Sequence, residues 1–188
     1  MLSSPNRVPI LKLAALAAAA GLWTIGGVDA TCAKEPIPDK IVVLTFDDSV
    51  KSHFTVVRPI LKKHGFGATF FVTEGFDFKT NKEHYMPWDE IAHLHQDGFE
   101  IGNHTRDHMS VTADNVPKLA EQVIAINDRC REYGIPATTS FAYPGNSIDV
   151  EALPILAELG FRFARRGGAP GPGGWGAVPY IRLRKPVC

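Results

Sequence analysis

The run Ile41-Val-Val-Leu-Thr-Phe46, closed abruptly by Asp47 and Asp48, constrains this chain more than any other stretch. An apolar, β-branched run of this kind fits a strand covered on both faces, as in parallel sheets. Adjacent residues on a strand point to opposite faces. Both carboxylates therefore serve one site only if the chain bends at the strand's C-terminal end, which is where α/β folds build their sites. The bland alternative is that Asp48 caps the next helix.

Strands and helices then alternate. Val50–His64 places Val50, Phe54, Val57 and Leu61 at helical spacing, with Pro59 as a kink and Gly65 as a stop. Ala68–Val72 reads as the second strand, and Thr73–Met86 as a polar loop holding Glu74, Asp77 and His84. Pro87–Asp97 is a helix with Trp88, Ile91 and Leu94 on one face, followed by the strand Phe99–Asn103. Ala113–Tyr133 is the longest helix, with Val116, Leu119, Val123, Ile126 and Cys130 in one stripe. Thr138–Tyr143 is the fourth strand, and Val150–Leu159 is a helix with Val150, Leu153 and Leu156 inward. Phe161–Arg165 is the fifth strand. The alternation predicts a parallel sheet, either doubly wound or closed as a barrel, with every strand's C-terminal end on one face. Asp47, Asp48, His104 and Tyr143 all fall at such ends. From Gly167 onward the periodicity gives way to Gly and Pro. Residues 167–188 read as an irregular basic tail in which only Tyr180–Leu183 has strand character.

Lys plus Arg equals Asp plus Glu, at 20 each, so no global charge points to nucleic acid or an anionic membrane. Residues 1–30 have the form of an export signal: Arg7 and Lys12, a Leu/Ala-rich run from Leu13 to Leu22, then Val28-Asp29-Ala30. Cleavage after Ala30 would leave no stable membrane span, a linker at 31–40, and a periplasmic or extracellular protein. Three cysteines make no tidy disulfide framework. Cys130 lies on an apolar face and is read as core. The sequence does not specify an oligomeric state.

The chemistry sits in His104-Thr-Arg-Asp-His108. Two imidazoles four residues apart share a face if the segment turns helical, and can bind one metal ion. A carboxylate from elsewhere would complete a His₂-Asp site with open positions. Taken together, Thr45-Phe46-Asp47-Asp48, His104-Thr105-x-x-His108 and Phe141-Ala-Tyr-Pro144-Gly145 resemble the first three motifs of the polysaccharide deacetylases, carbohydrate esterases that share the NodB homology domain. The resemblance spans roughly Ile41 to Arg166 and implies a deformed (β/α) barrel acting on an acetylated polysaccharide. It implies Asp47 as general base, and Asp48, His104 and His108 as ligands of a divalent metal, most often zinc. Tyr143, Pro144 and Gly145 would line the substrate groove, with a backbone N–H for the oxyanion. Pro144 has no N–H, which points to Gly145.

Three departures accompany the resemblance. The third motif often carries an Arg that pairs with the base, and Ala142 stands at that position. The acidic fourth motif is not evident, and no His follows His108 to act as the late general acid. These departures, with the loss of acids after Glu158, lead to the expectation of a barrel incomplete at its C-terminus and of low activity. The competing function is a non-catalytic, carbohydrate-binding relative of such an enzyme. A phospho-receiver domain also ends its first strand in paired acids. His53, His64, His93 and His95 are read as surface groups and Trp88 as core; Tyr85 and Phe78 are candidates for stacking on a sugar.

Overall fold

The computed structural model describes residues 40–167 and, by backbone, strands at 170–171, 174–175 and 180–182. The export signal read at 1–30 and nearly all of the linker read at 31–40 lie outside the described residues. The main sheet contains β1 (Thr45–Phe46), β2 (Thr69–Val72), β3 (Glu100–Asn103), β4 (Ser140–Ala142), β5 (Phe163–Arg165) and β8 (Tyr180–Arg182), in that spatial order. The first five strands are parallel, and β8 runs antiparallel to β5. Each parallel strand lies beside its predecessor, so the sheet winds in one direction as a (β/α) barrel does. A doubly wound sheet reverses its strand order partway. The observed order excludes that architecture and, with it, the phospho-receiver reading.

After Gly167, the strand character expected at Tyr180–Leu183 is present as Tyr180–Arg182, and the pairing of residues 170–171 with 174–175 adds to it. Tyr180–Arg182 occupies the open edge of β5, where ladder pairing satisfies backbone groups that an exposed edge would leave unpaired. Pro170–Gly171 (β6) pairs with Gly174–Trp175 (β7).

The helix after β1 is regular only from Arg58. His53–Val57 is a π-helical turn, and α1 is Arg58–His64. Pro59 has no N–H to offer Thr55, and its ring crowds that carbonyl, so the preceding turn widens. Gly65 ends α1 at φ 67°, donating its N–H back to Leu61. Among the described residues the other α-helices are α2 (Trp88–Gln96), α3 (Leu119–Glu132) and α4 (Ala152–Glu158). The α3 helix is preceded by a 3₁₀ turn, Val116–Lys118, around Pro117.

Two apolar clusters hold the helices to the sheet. One joins Phe70, Val72 and Ile101 to Trp88, Ile91, Leu94 and the C-terminal half of α3. The other joins Phe141, Tyr143 and Ala164 to Leu119, Val123 and Leu156. Ile91 and Leu94 are fully buried, each contributing roughly 1.5–3 kcal/mol by area. Two expectations about burial in β1 and α4 fail. Ile41, Val42 and Val43 are 55%, 77% and 61% exposed, because β1 is the sheet's edge and pairing begins only where Thr69 N–H reaches the Leu44 carbonyl. Val150 is exposed because α4 starts at Ala152, which moves the inward stripe to Ala152 and Leu156.

The sheet's other face is concave. Val43, Thr45, Thr69, Phe71, Phe163 and Arg165 line a cavity of about 390 Å³ there. Gly102 makes room for this layer, since a Cβ on it would lie 2.5 Å from the Phe71 ring.

Candidate functional site

The site begins where β1 stops. Asp48 and Ser49 take φ values of 71° and 55°, the bend that paired acids at a strand end require. Non-glycine residues rarely adopt this region, and each such residue costs about 1–3 kcal/mol. Ser49 helps hold the bend: its buried hydroxyl donates to the Thr73 carbonyl and accepts from the Thr73 N–H, both at 2.9 Å. The two carboxylates then separate. Asp48 turns toward the histidines, and Asp47 turns toward Arg165.

The His104–His108 segment is not a helix, contrary to the expected mechanism of convergence. Thr105 and His108 have φ values of 58° and 53°, so a looped backbone brings the imidazoles to 5.0 Å between ring centroids. Buried Asn103 anchors the loop. Its amide donates to the Val123 carbonyl at 3.1 Å, and its carbonyl oxygen accepts from the Thr105 N–H at 3.0 Å. The Thr105 hydroxyl in turn accepts the Met109 N–H at 2.7 Å.

Asp48 Oδ1 lies 3.4 Å from His104 Nε2 and 3.2 Å from His108 Nε2. One ligand atom from each residue lies within 4.8 Å of the others. These three residues fit a cation on two grounds. Buried Asp48 Oδ1 makes no hydrogen bond of good geometry. His104 Nδ1 sits 2.8 Å from the Ala142 carbonyl, an acceptor only, so Nδ1 carries the proton and neutral Nε2 presents a lone pair to the cluster. When His104 also carries a proton on Nε2, that proton donates toward Asp48 and holds its carboxyl below its usual range despite partial burial, and a bound cation would take the proton's place. Burial pushes the His108 pKa down and favours its neutral, ligating form.

Asp47 pairs with Arg165 across the concave face. The guanidinium lies 4.8 Å from the Phe71 ring centroid, and its side chain is only 11% exposed. Arg165 stands directly opposite Ala142 in the β4–β5 register. The cation missing from the third motif is thus supplied one strand over. Sequence reading missed this contact, although a strand-end Arg on the same face as Phe163 was its available signal.

In the Tyr143–Gly145 turn, the Tyr143 N–H is committed to the Arg165 carbonyl at 2.9 Å and the Asn146 N–H to the Tyr143 carbonyl at 3.1 Å. Pro144 has no N–H. Gly145, at φ 60° and exposed, keeps the turn's available donor. The Tyr143 side chain points away into the second cluster, 5.0 Å from the Phe141 ring, and burial pushes its hydroxyl pKa up to about 12.

Other side chains depart from their expected places. His53 is not a surface group: it lies 5.4 Å from the Phe46 ring and 5.9 Å from the Phe70 ring, and burial lowers its pKa. Phe78 is 2% exposed and belongs to the core, whereas Phe76, two residues earlier, is open to solvent beside His108. Trp88 is core, donating to Glu74 at 2.6 Å. Burial pushes the Cys130 thiol up to about 12, as suits an inert core residue.

The profile of the polysaccharide deacetylases matches residues 34–164. A peptidoglycan-N-acetylglucosamine deacetylase of Bacillus cereus is 26% identical over 128 residues, covering 68% of this chain and 56% of that protein. IcaB from Ammonifex degensii superposes with a TM-score of 0.60 at 26% identity, over 68% of this chain and 60% of that one. A Streptococcus pyogenes deacetylase, PplD in complex with acetate, gives 0.57 at 25% identity, over 69% and 57%. The chain spans about half the length of the relatives it matches. The profile match agrees with the one-way winding of the sheet and the motif residues gathered at its strand ends, and on these grounds the chain belongs to the polysaccharide deacetylase family.

Proposed function

We infer that this protein is an exported, metal-dependent hydrolase that removes acetyl groups from N-acetylated polysaccharide. The observation that carries this reading is the convergence of Asp48, His104 and His108 beside a second carboxylate, Asp47, that has its own cation. Two imidazoles and one carboxylate are a donor set suited to zinc. A divalent ion held there would supply Lewis acidity toward an amide carbonyl and toward water.

The chain's own groups supply the rest. Asp47 takes the proton of the attacking water as the C–O bond forms and returns it to the nitrogen as the C–N bond breaks, and Arg165 fixes the orientation of its carboxylate. The Gly145 N–H is the donor for the oxygen that gains charge in the tetrahedral state, at a turn where a side chain would obstruct approach. His104 is held in one tautomer by the Ala142 carbonyl, which keeps its lone pair on the cluster. The substrate class follows the Bacillus cereus relative, named as a peptidoglycan-N-acetylglucosamine deacetylase.

The test is metal analysis of purified protein alongside acetate release from N-acetylglucosamine oligosaccharides. Stoichiometric zinc-class metal and turnover are expected. Asp47→Asn should keep the metal and lose about 10²–10⁴-fold in rate, the usual worth of a positioned base. Turnover indifferent to Asp47→Asn would remove the assignment, and sugar binding without any turnover would favour the non-catalytic alternative.

A further inference from the structure

Phe76 is 58% exposed, and its backbone sits at φ 57°, where bulky residues are rare and Gly or Asn is favoured. Folding alone gives little reason for a phenylalanine that buries so little at a strained position. Yet the loop carrying it is fastened to the histidine loop. The Thr73 hydroxyl donates to the Arg106 carbonyl at 3.0 Å and accepts the N–H groups of Gly75 at 3.0 Å and His108 at 3.1 Å. The Glu74 N–H reaches the same Arg106 carbonyl at 2.8 Å. Gly75 permits the contact, since a Cβ there would lie 2.7 Å from His108 Cβ.

These contacts set the Phe76 ring 4.5 Å from the His108 imidazole, centroid to centroid. Tyr85 continues the surface, its ring 9° from parallel with Phe76 at 6.1 Å. Tyr85 also borders a cavity of about 480 Å³ lined by Lys51, Ser52, Thr55, Glu83 and His84. A pair of aromatic faces leading into a polar pocket suits a pyranose chain, which presents apolar C–H faces and hydroxyl edges.

We propose that Phe76, with Tyr85 beside it, is the binding platform for the sugar unit next to the acetylated one, and that the glycan continues into the cavity beside Lys51. The position of the reacting unit rests on the deacetylase reading; the platform itself does not. Calorimetry in an Asp47→Asn background, which binds without rapid turnover, tests it with two probes: the β-1,4-linked and the β-1,6-linked N-acetylglucosamine tetramers. At least one tetramer is expected to bind. Phe76→Gly should weaken that binding about tenfold or more, equivalent to about 1.4 kcal/mol. Phe76→Tyr should retain it. Zinc affinity and the thermal midpoint should hold in Phe76→Gly, because glycine suits the backbone angle.

Equal affinity in Phe76→Gly overturns the proposal. So does parallel loss of zinc, which would make Phe76 a support for His108, and so does failure of the parent to bind either tetramer. Binding that depends on Phe76 without acetate release by the wild type removes the deacetylase reading and leaves the platform. Acetate release unaffected by Phe76→Gly does the reverse.

Discussion

The two apolar clusters divide the site between them. The β1–β3 half carries the donor cluster: Asp48 at the β1 bend, and His104 and His108 on the loop after β3. The β4–β5 half carries the Gly145 turn and Arg165, which the proposed mechanism assigns to the oxyanion and to the orientation of Asp47. The β3–β4 pairing joins the halves, and two side-chain contacts between them reach the candidate site itself, His104 with the Ala142 carbonyl and Asp47 with Arg165. If the proposed function holds, cation binding and amide hydrolysis should be separable by substitution, even though both sets of residues lie at one end of one sheet.

The largest expected effect breaks the first half. His104→Ala or His108→Ala removes one of three donors and should abolish stoichiometric zinc binding, since two ligands leave an incomplete site. Equilibrium dialysis checks this, and zinc retention equal to wild type would refute the donor assignment. His108→Ala is the cleaner variant, because His104 is 3% exposed and its loss also strands the Ala142 carbonyl.

The second half should respond differently. Arg165→Met keeps an aliphatic stem over Phe71 but frees the Asp47 carboxylate to rotate. Zinc affinity should stay near wild type while kcat falls about 10²-fold, the order expected when a reacting group loses its positioning. Because Ala142 and Arg165 are paired across β4 and β5, the double variant Ala142→Arg, Arg165→Ala should recover part of that loss. No recovery, or a loss of zinc in Arg165→Met, would mean that the two halves are not independent.

Much of this division was legible in the sequence, and what was not has identifiable causes. The strand ends carrying Asp47, Asp48 and His104 follow from the apolar runs that precede them, although the first of these runs is an exposed edge and not a strand covered on both faces. The stripe Val116, Leu119, Val123, Ile126 and Cys130 is buried throughout. Contacts set by long-range register were not legible. Arg165 reaches Asp47 from 118 residues away, and local composition marked it only as one Arg among several. His53 looked like a helix surface residue because the π turn, which shifts the helix's facing, leaves no periodic signature of its own. Phe78, expected to be available for stacking, is core, while Phe76 is exposed; the positive φ at Phe76 breaks the alternation that would place them on the same side.

The smallest expected effect separates the halves by pH. In the first half, burial lowers the pKa of His53 and of His108 from an ordinary value of 6.5. A depressed folded pKa means that the unfolded chain binds more protons, so metal-free stability is full above about pH 6.5 and declines as pH falls through the folded values. Asp48, also depressed, adds the same sign of loss further down, below its ordinary 3.8. In the second half the sign reverses. Tyr143 is raised from 10 to about 12, so the folded chain keeps a proton that the unfolded chain sheds, and stability declines as pH rises above about 10. Cys130, raised from 9 to about 12, contributes the same alkaline sign from the first cluster. The experiment is thermal unfolding in chelator across the pH range, repeated for Tyr143→Phe. The Tyr143 hydroxyl is buried without a hydrogen-bond partner, so its removal strands no other group. The variant should match or exceed wild-type stability at pH 7, flatten the alkaline limb down to the Cys130 contribution, and leave the acid limb unchanged. A Tyr143→Phe protein that loses stability at pH 7 would show that the hydroxyl has a partner, and that the second half is held by a polar contact as well as by packing.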